Sequence, residues 1–220
     1  MTARFPGVIL SGGRSSRMGR PKALLSLGAA RLIDHVVARF APQVTALALN
    51  SNNPDIALPG VPSIPDQFAD FPGPLAGIHA ALAHARAFWP DASHVATIPV
   101  DAPFLPLDLV SRLAASLTGP DDVALAISDG RIHPATGLWP LSATDRLAAW
   151  LENPPTLRVQ SFLESLAVRT VAFAPIDTPR GALDPFFNVN TPDELARARE
   201  IMAALESLSN GMEPHRGDIP

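Results

Sequence analysis

The chain has 220 residues, long enough for one α/β domain with a sizeable core, and its 47% apolar and 17% charged residues are those of a soluble globular protein. Lysine and arginine total 17 against 21 acidic residues, so a net charge of −4 gives no global basic field for nucleic acid or an acidic membrane surface, and any anion site must be a local cluster. The absence of cysteine excludes disulfides, thiolate metal sites and thiol catalysis.

Gly7 to Leu10 reads as a first buried strand, and its Val8-Ile9-Leu10 run is too brief for a signal-peptide core or a membrane span, so a cytoplasmic location is expected. Leu32 to Phe40 carries apolar residues at helical spacing, and Val44 to Leu49 reads as the second strand. A Pro suited to a first turn opens a helix over Pro74 to Phe88, and Val95 to Val100 is the candidate central strand. Pro106 to Leu117 follows as a helix, Val123 to Ile127 as a strand, and Gly137 to Trp139 as part of another strand after a turn at His133-Pro134. Leu147 to Leu151 and Val159 to Leu166 suggest short helices, and Val168 to Phe173 a strand. Thr191-Pro192-Asp193-Glu194 is a helix start, with Thr as the cap, for a helix running to about Leu208. Strands alternating with helices predict an α/β fold, a mostly parallel sheet covered by helices, in a single domain over 1–208. Residues 209–220 lack periodicity and read as a disordered tail.

The connection after the first strand, Leu10 to Lys22, contains Gly12, Gly13 and Gly19 together with Arg14, Arg17, Arg20 and Lys22. Glycines let backbone N–H groups converge on an anion, and such a loop lies at the carboxyl end of a strand, where ligands bind in α/β sheets. By composition it is an anion site in which Arg17 and Lys22 neutralise phosphate; an isolated solvated basic turn is the alternative. Neither the G-x-x-x-x-G-K-[ST] loop nor the G-x-G-x-x-G spacing is present.

The run Leu10-Ser11-Gly12-Gly13-Arg14-Ser15-Ser16-Arg17-Met18-Gly19-Arg20-Pro21-Lys22-Ala23-Leu24-Leu25 resembles the signature of sugar-nucleotide-type nucleotidyltransferases, most of all the molybdenum cofactor guanylyltransferases. Pro72 to Gly77, Val100 to Pro106 and Phe187 to Leu195 match the same family in the same order. Ser11 departs from the family's usual Ala and adds a hydroxyl near the phosphates, and Thr97-Ile98-Pro99-Val100 lacks the cysteines found in some relatives. The resemblance implies a Rossmann-like, glycosyltransferase-A-like three-layer sandwich. It also implies a magnesium-dependent reaction in which the terminal phosphate of molybdenum-molybdopterin attacks the α-phosphorus of GTP and releases pyrophosphate. A phosphate monoester has a second pKa of about 6 and is largely ionised at pH 7, so no general base is needed. This agrees with histidines that show no metal-ligand spacing. Transient contact with cofactor-biosynthesis proteins or acceptor enzymes fits the same reading. A cytidylyl or sugar-phosphate relative, or an idle homologue that only binds nucleotide, are the alternatives.

Residue by residue, the resemblance puts Leu10, Ser11, Gly12 and Gly13 against the nucleotide, Lys22 on its phosphates, and Asn50 and Asp66 at the base or ribose. Arg17, Lys22 and Asp101 are the catalytic set. Asp101 follows the central strand, and a lone carboxylate beside a triphosphate suits magnesium, which takes a few carboxylates together with phosphates and waters. Capping of the next helix is the other role open to it. Asn50 and Asp66 could equally be turn residues. Asn188 and Asn190, two apart on an extended segment, share a face and look like acceptor-substrate or metal-shell residues. His133 is the remaining acceptor-side candidate, although a lone His in a turn is more often at the surface.

Overall fold

The computed structural model describes residues 5–12, 21–68, 73–154, 156 and 158–211, with side chains to residue 207. Gly13, Arg17 and the proposed tail beyond 211 therefore lie outside the described residues.

A seven-stranded sheet forms the middle layer. Its strands are β1 (Gly7–Leu10), β4 (Leu47–Asn50), β5 (Ser63–Ile64), β6 (His94–Pro99), β7 (Asp122–Ser128), β8 (Arg131–Pro140) and β9 (Ala167–Ala172), in the order β5-β4-β1-β6-β8-β7-β9. Every neighbouring pair is parallel except the two made by β8, which runs against both β6 and β7. The expected α/β fold with a mostly parallel sheet is observed.

Alternation along the strands divides the core. Ile9, Leu49 and Ile98 point to one face and join Ile33, Val36 and Phe40 of α1 (Leu32–Phe40) and Leu109, Val110 and Leu113 of α3 (Leu109–Ala115). Val8, Leu10, Ala48 and Val95 point to the other, against Leu75, Ile78 and Leu82 of α2 (Leu75–Phe88), with Leu147 of α4 (Thr144–Glu152) and Phe162 of α5 (Val159–Leu163). A third cluster lies beside the sandwich. There α6 (Pro192–Gly211) packs Leu195, Ala198 and Ile201 with Leu27 of the β2–β3 hairpin (Ser26–Leu27, Ala30–Arg31) and Leu183 of the β10–β11 hairpin (Ile176–Thr178, Gly181–Leu183). No helix among the described residues is long and apolar enough to cross a membrane.

The expected turn at His133-Pro134 is corrected. The reversal occurs four residues earlier, at Asp129 and Gly130, whose φ values of 46° and 70° both lie in the left-handed region demanded by a two-residue hairpin turn. His133 and Pro134 are inside β8, and the register against β7 jumps from Ala126↔His133 to Leu125↔Gly137, so residues 134–136 bulge from the ladder. Pro is tolerated there because a bulge needs no ladder donor from it. The last helix continues to Gly211, three residues past the expected end at Leu208.

Candidate functional site

Because β4, β1 and β6 are parallel and in register at Asn50, Leu10 and Pro99, all three chains leave the sheet at one edge. Two further bonds hold the exits together: Ser11 donates its N–H to Asn50 O at 2.8 Å, and Val100 donates to Leu10 O at 2.9 Å. Leu10, Ser11, Gly12, Asn50 and Asp101 thus converge, while the antiparallel β8 brings its first residues, Arg131 to His133, to the same edge from the opposite direction.

On the β4 side the convergence is a set of acceptors. Asn50, fully buried, donates its amide Nδ2–H groups to Asp66 Oδ1 at 2.8 Å and to Ile64 O at 3.1 Å. That fixes which way the amide points, and leaves Asn50 Oδ1 buried with no hydrogen-bond partner among the described residues. Gly12 lies over this pair: a Cβ there would be 3.6 Å from both Asn50 Oδ1 and Asp66 Oδ2. On the far side Gly77, in the first turn of α2, admits the same oxygen, since a Cβ would stand 2.6 Å from it.

On the β6 side lies an ion pair. Lys22 Nζ donates to Asp101 Oδ2 at 3.3 Å and also to Asn190 Oδ1. Asp101 Oδ1 is buried and unpartnered among the described residues, and burial raises the pKa of this carboxyl although Lys22 opposes the shift. An orphaned oxygen on a carboxylate short of positive charge fits a hard divalent cation. Among the described residues no three His, Cys, Asp or Glu side chains gather to hold a metal, so such an ion would rest on Asp101 and on ligand oxygens. The helix-capping alternative for Asp101 does not hold, because α3 begins only at Leu109 and Asp108 precedes it.

Asn190 reaches Lys22 because Val189 donates its N–H to Asp101 O at 2.9 Å, laying the segment along the exit of β6. Its own N–H bonds Glu194 Oε2 at 2.7 Å, and Thr191 Oγ1 accepts from the Glu194 N–H at 3.2 Å, a cap at the start of α6 as the sequence predicts. Asn188 is half-buried beside this run. His133 sits farther along the edge, its Nε2 2.7 Å from Ser128 Oγ and its ring 4.7 Å from that of Phe186. Burial lowers the pKa of His133, with Asp184 pulling the other way.

Residues 7–171 match the family model of the MobA-like NTP transferase domain. The chain belongs to the MobA-like NTP transferase family. It is 48% identical over 205 residues to a molybdenum cofactor guanylyltransferase of Rhizobium leguminosarum bv. trifolii, covering 93% of this chain and 96% of the relative. A protein of the same name from Sinorhizobium fredii is 46% identical over 207 residues, covering 93% and 95%. Among solved structures, molybdopterin-guanine dinucleotide biosynthesis protein A of Archaeoglobus fulgidus superposes with a TM-score of 0.69 at 23% identity, over 90% of this chain and 99% of that one. The 2-C-methyl-D-erythritol 4-phosphate cytidylyltransferase of Thermus thermophilus shares the fold at a TM-score of 0.61 and 17% identity, over 89% and 98%.

Three residues at this MobA-like edge received no site role from the sequence. Asn52 donates to Asp66 Oδ2 at 2.8 Å and accepts the Asp66 N–H at 2.7 Å; it lies in a polar run that reads as a turn. Gly77 closes the Pro72 to Gly77 segment, whose order marks the family without indicating which glycine is sterically required. Glu194 has the spacing of a helix cap, and only the tertiary structure puts that cap next to Lys22.

Proposed function

We propose that this chain is a molybdenum cofactor guanylyltransferase, moving GMP from GTP to the phosphate of molybdenum-molybdopterin. The observation that carries the reading is 46–48% identity along nine-tenths of the chain to relatives of that name. An acceptor-phosphate oxygen forms the new bond to the α-phosphorus of GTP, and the bond from that phosphorus to the bridging oxygen of the β-phosphate breaks, releasing pyrophosphate.

Base choice is supported by the β4 side. Asn50 Oδ1 and the Asp66 carboxylate present acceptors only, which suits the N1–H and 2-amino donors of guanine. Cytosine offers a single amino donor on the corresponding edge. Leu10, Ser11 and Gly12 are assigned close backbone approach to the nucleotide, and Gly13 is assigned to nucleotide binding with them.

Two polyanions must meet, so the work of the site is to offset their repulsion and the charge growing on pyrophosphate. Lys22, held between Asp101 and Asn190, is assigned that duty, and Arg17 shares it. Asp101 would hold magnesium, which would supply Lewis-acid neutralisation of the triphosphate. His133 and Asn188 are assigned to the acceptor side. A cytoplasmic location fits a reaction that consumes a nucleoside triphosphate, and product handover to acceptor enzymes would use transient contacts.

Pyrophosphate release is measured from purified protein with magnesium and molybdopterin-type cofactor, with GTP, CTP and ATP in parallel. Release with GTP alone is expected. Release only with CTP would overturn guanine selectivity, and none with any nucleotide would overturn the transferase reading.

A further inference from the structure

β5 pairs with β4 over only two rungs, Leu49↔Ser63 and Asn50↔Ile64, and Ser51 adds an N–H bond to Ile64 O at 2.9 Å. Residues 62 and 64 of this strand face β4, so the next ladder donor is the Asp66 N–H, and it bonds the Asn52 side chain and not the main chain of β4. Side chains thus continue the ladder. Asn50 and Asn52 are two apart, and both amides reach Asp66, the first bonding Oδ1 at 2.8 Å and the second Oδ2 at 2.8 Å. Asn52 alone makes a reciprocal pair, because its Oδ1 also takes the Asp66 N–H at 2.7 Å and so fixes main chain and carboxylate together. Among the described residues these two amides are the hydrogen-bond partners of the Asp66 carboxylate, and each leaves its oxygen a free lone-pair direction.

From this clamp we propose that Asn52 is a positioning residue, which holds the Asp66 carboxylate oriented as a paired acceptor for donor groups of the bound nucleoside, the guanine N1–H and 2-amino group above all. The inference rests on the guanylyltransferase reading for the identity of the base, and on the structure for the clamp. Without Asn52, Asp66 keeps the bond from Asn50 but loses the two that fix its second oxygen and its main chain. The acceptor pair must then be ordered when the nucleotide binds, a cost that falls on binding and not on phosphoryl chemistry.

Full-length wild type, Asn52→Ala and Asn52→Asp are titrated with GTP, ITP, 2′-deoxy-GTP and CTP in magnesium buffer, with kcat and KM for pyrophosphate release measured alongside. Asn52→Asp keeps the acceptor for the Asp66 N–H but removes the donor, and covers the case in which the alanine variant folds poorly. The expected result is roughly tenfold weaker GTP binding, a matching rise in KM, and kcat within about twofold of wild type. Because ITP lacks the 2-amino group, the preference for GTP over ITP should shrink. A loss equal for GTP and ITP but small for 2′-deoxy-GTP would support the positioning role while moving the Asp66 contact to the ribose hydroxyls. GTP affinity within twofold of wild type, or a fall in kcat with KM unmoved, would overturn the inference. If wild type prefers CTP, the guanine reading fails while the clamp is judged by the same ratio measured with CTP.

Discussion

Replacing Gly77 by alanine tests the geometry around Asn50 most sharply, because two effects of opposite sign compete. Glycine within a helix ordinarily costs about 1 kcal/mol relative to alanine, so Gly77→Ala should stabilise α2 if space were available. Here the added Cβ would stand 2.6 Å from Asn50 Oδ1 and 3.5 Å from Leu10 Cδ2. The oxygen has little freedom to retreat, since Asn50 is fully buried and its amide nitrogen is bonded to Asp66 Oδ1 and Ile64 O. Rotating it away loses one charge-assisted and one neutral hydrogen bond, together about 2–4 kcal/mol, and overpacking costs about 1–3 kcal/mol if the helix yields instead. Against a gain of about 1 kcal/mol the net is a destabilisation of up to about 3 kcal/mol, whichever route the structure takes. Urea unfolding measures it, and a GTP titration should show binding weakened as the amide turns. In an Asn50→Ala background the obstacle is absent, so Gly77→Ala should become neutral or stabilising, and the double-mutant cycle should close with a coupling of about 1–4 kcal/mol. A stabilising Gly77→Ala in the wild-type background, or the same effect in both backgrounds, would refute this account of the glycine.

Asp101→Asn should reduce turnover at least about a hundredfold without lowering the melting temperature, because the buried carboxylate is already disfavoured in its charged form; retained turnover in the purified variant would remove it from the chemistry. Lys22→Ala should raise the KM for GTP and lower kcat together, and steady-state kinetics with neither changed would sink its assignment. Burial holds His79, His94 and His133 below the usual imidazole pKa, so the folded state binds fewer protons than the unfolded one. Their contribution is fully present above about pH 6.5 and is lost as pH falls toward the folded values, by up to about 1.4 kcal/mol per pH unit for each proton; a flat urea midpoint between pH 7 and 5 would contradict it. Asp122 is held well below the carboxylate range by the Thr118 N–H and hydroxyl, with Arg169 and the Gly119 N–H adding to them. Its stabilisation is present above about pH 4 and is lost only as pH falls further, so Asp122→Asn should flatten acid unfolding below that pH and leave the histidine range unchanged.

Where one period dominates, the sequence is close to the structure. The helix over Leu32 to Phe40 is found with those ends, because its apolar spacing is clean and Arg31 and Asp34 close a capping pair at its start. The helix from residue 75 and the strand ahead of Asp101 agree to within a residue for the same reason. The Asp129-Gly130 turn was also legible, since Asp-Gly between apolar runs is a strong hairpin signal, and the neighbouring Pro134 drew the reversal to the wrong place. The two-residue strands of the β2–β3 hairpin and β5 were not legible, because two residues carry no period. Asn52 was hidden differently: a polar residue that bonds across a ladder end has the same local composition as one that makes a turn.

The part of the site least available to local motifs is the support of Lys22. The family match ends at residue 171, yet Lys22, besides pairing with Asp101, donates to Asn190, 168 positions away in the chain. Val189 is bonded to the main chain of Asp101 and is fully buried, so the segment carrying Asn190 cannot shift without disturbing the exit of β6. Beyond it, α6 packs Leu195, Ala198 and Ile201 on Leu27, and Arg199 donates from Nε at 3.1 Å and Nη2 at 2.9 Å to Ser26 O, in the hairpin that follows Lys22. The C-terminal helix therefore braces both members of the ion pair, Lys22 through the β2–β3 hairpin and Asp101 through Val189. It does so with ordinary helix-to-hairpin packing, which explains how four short segments spread over the chain can behave as a single site although no one of them contains a complete binding set.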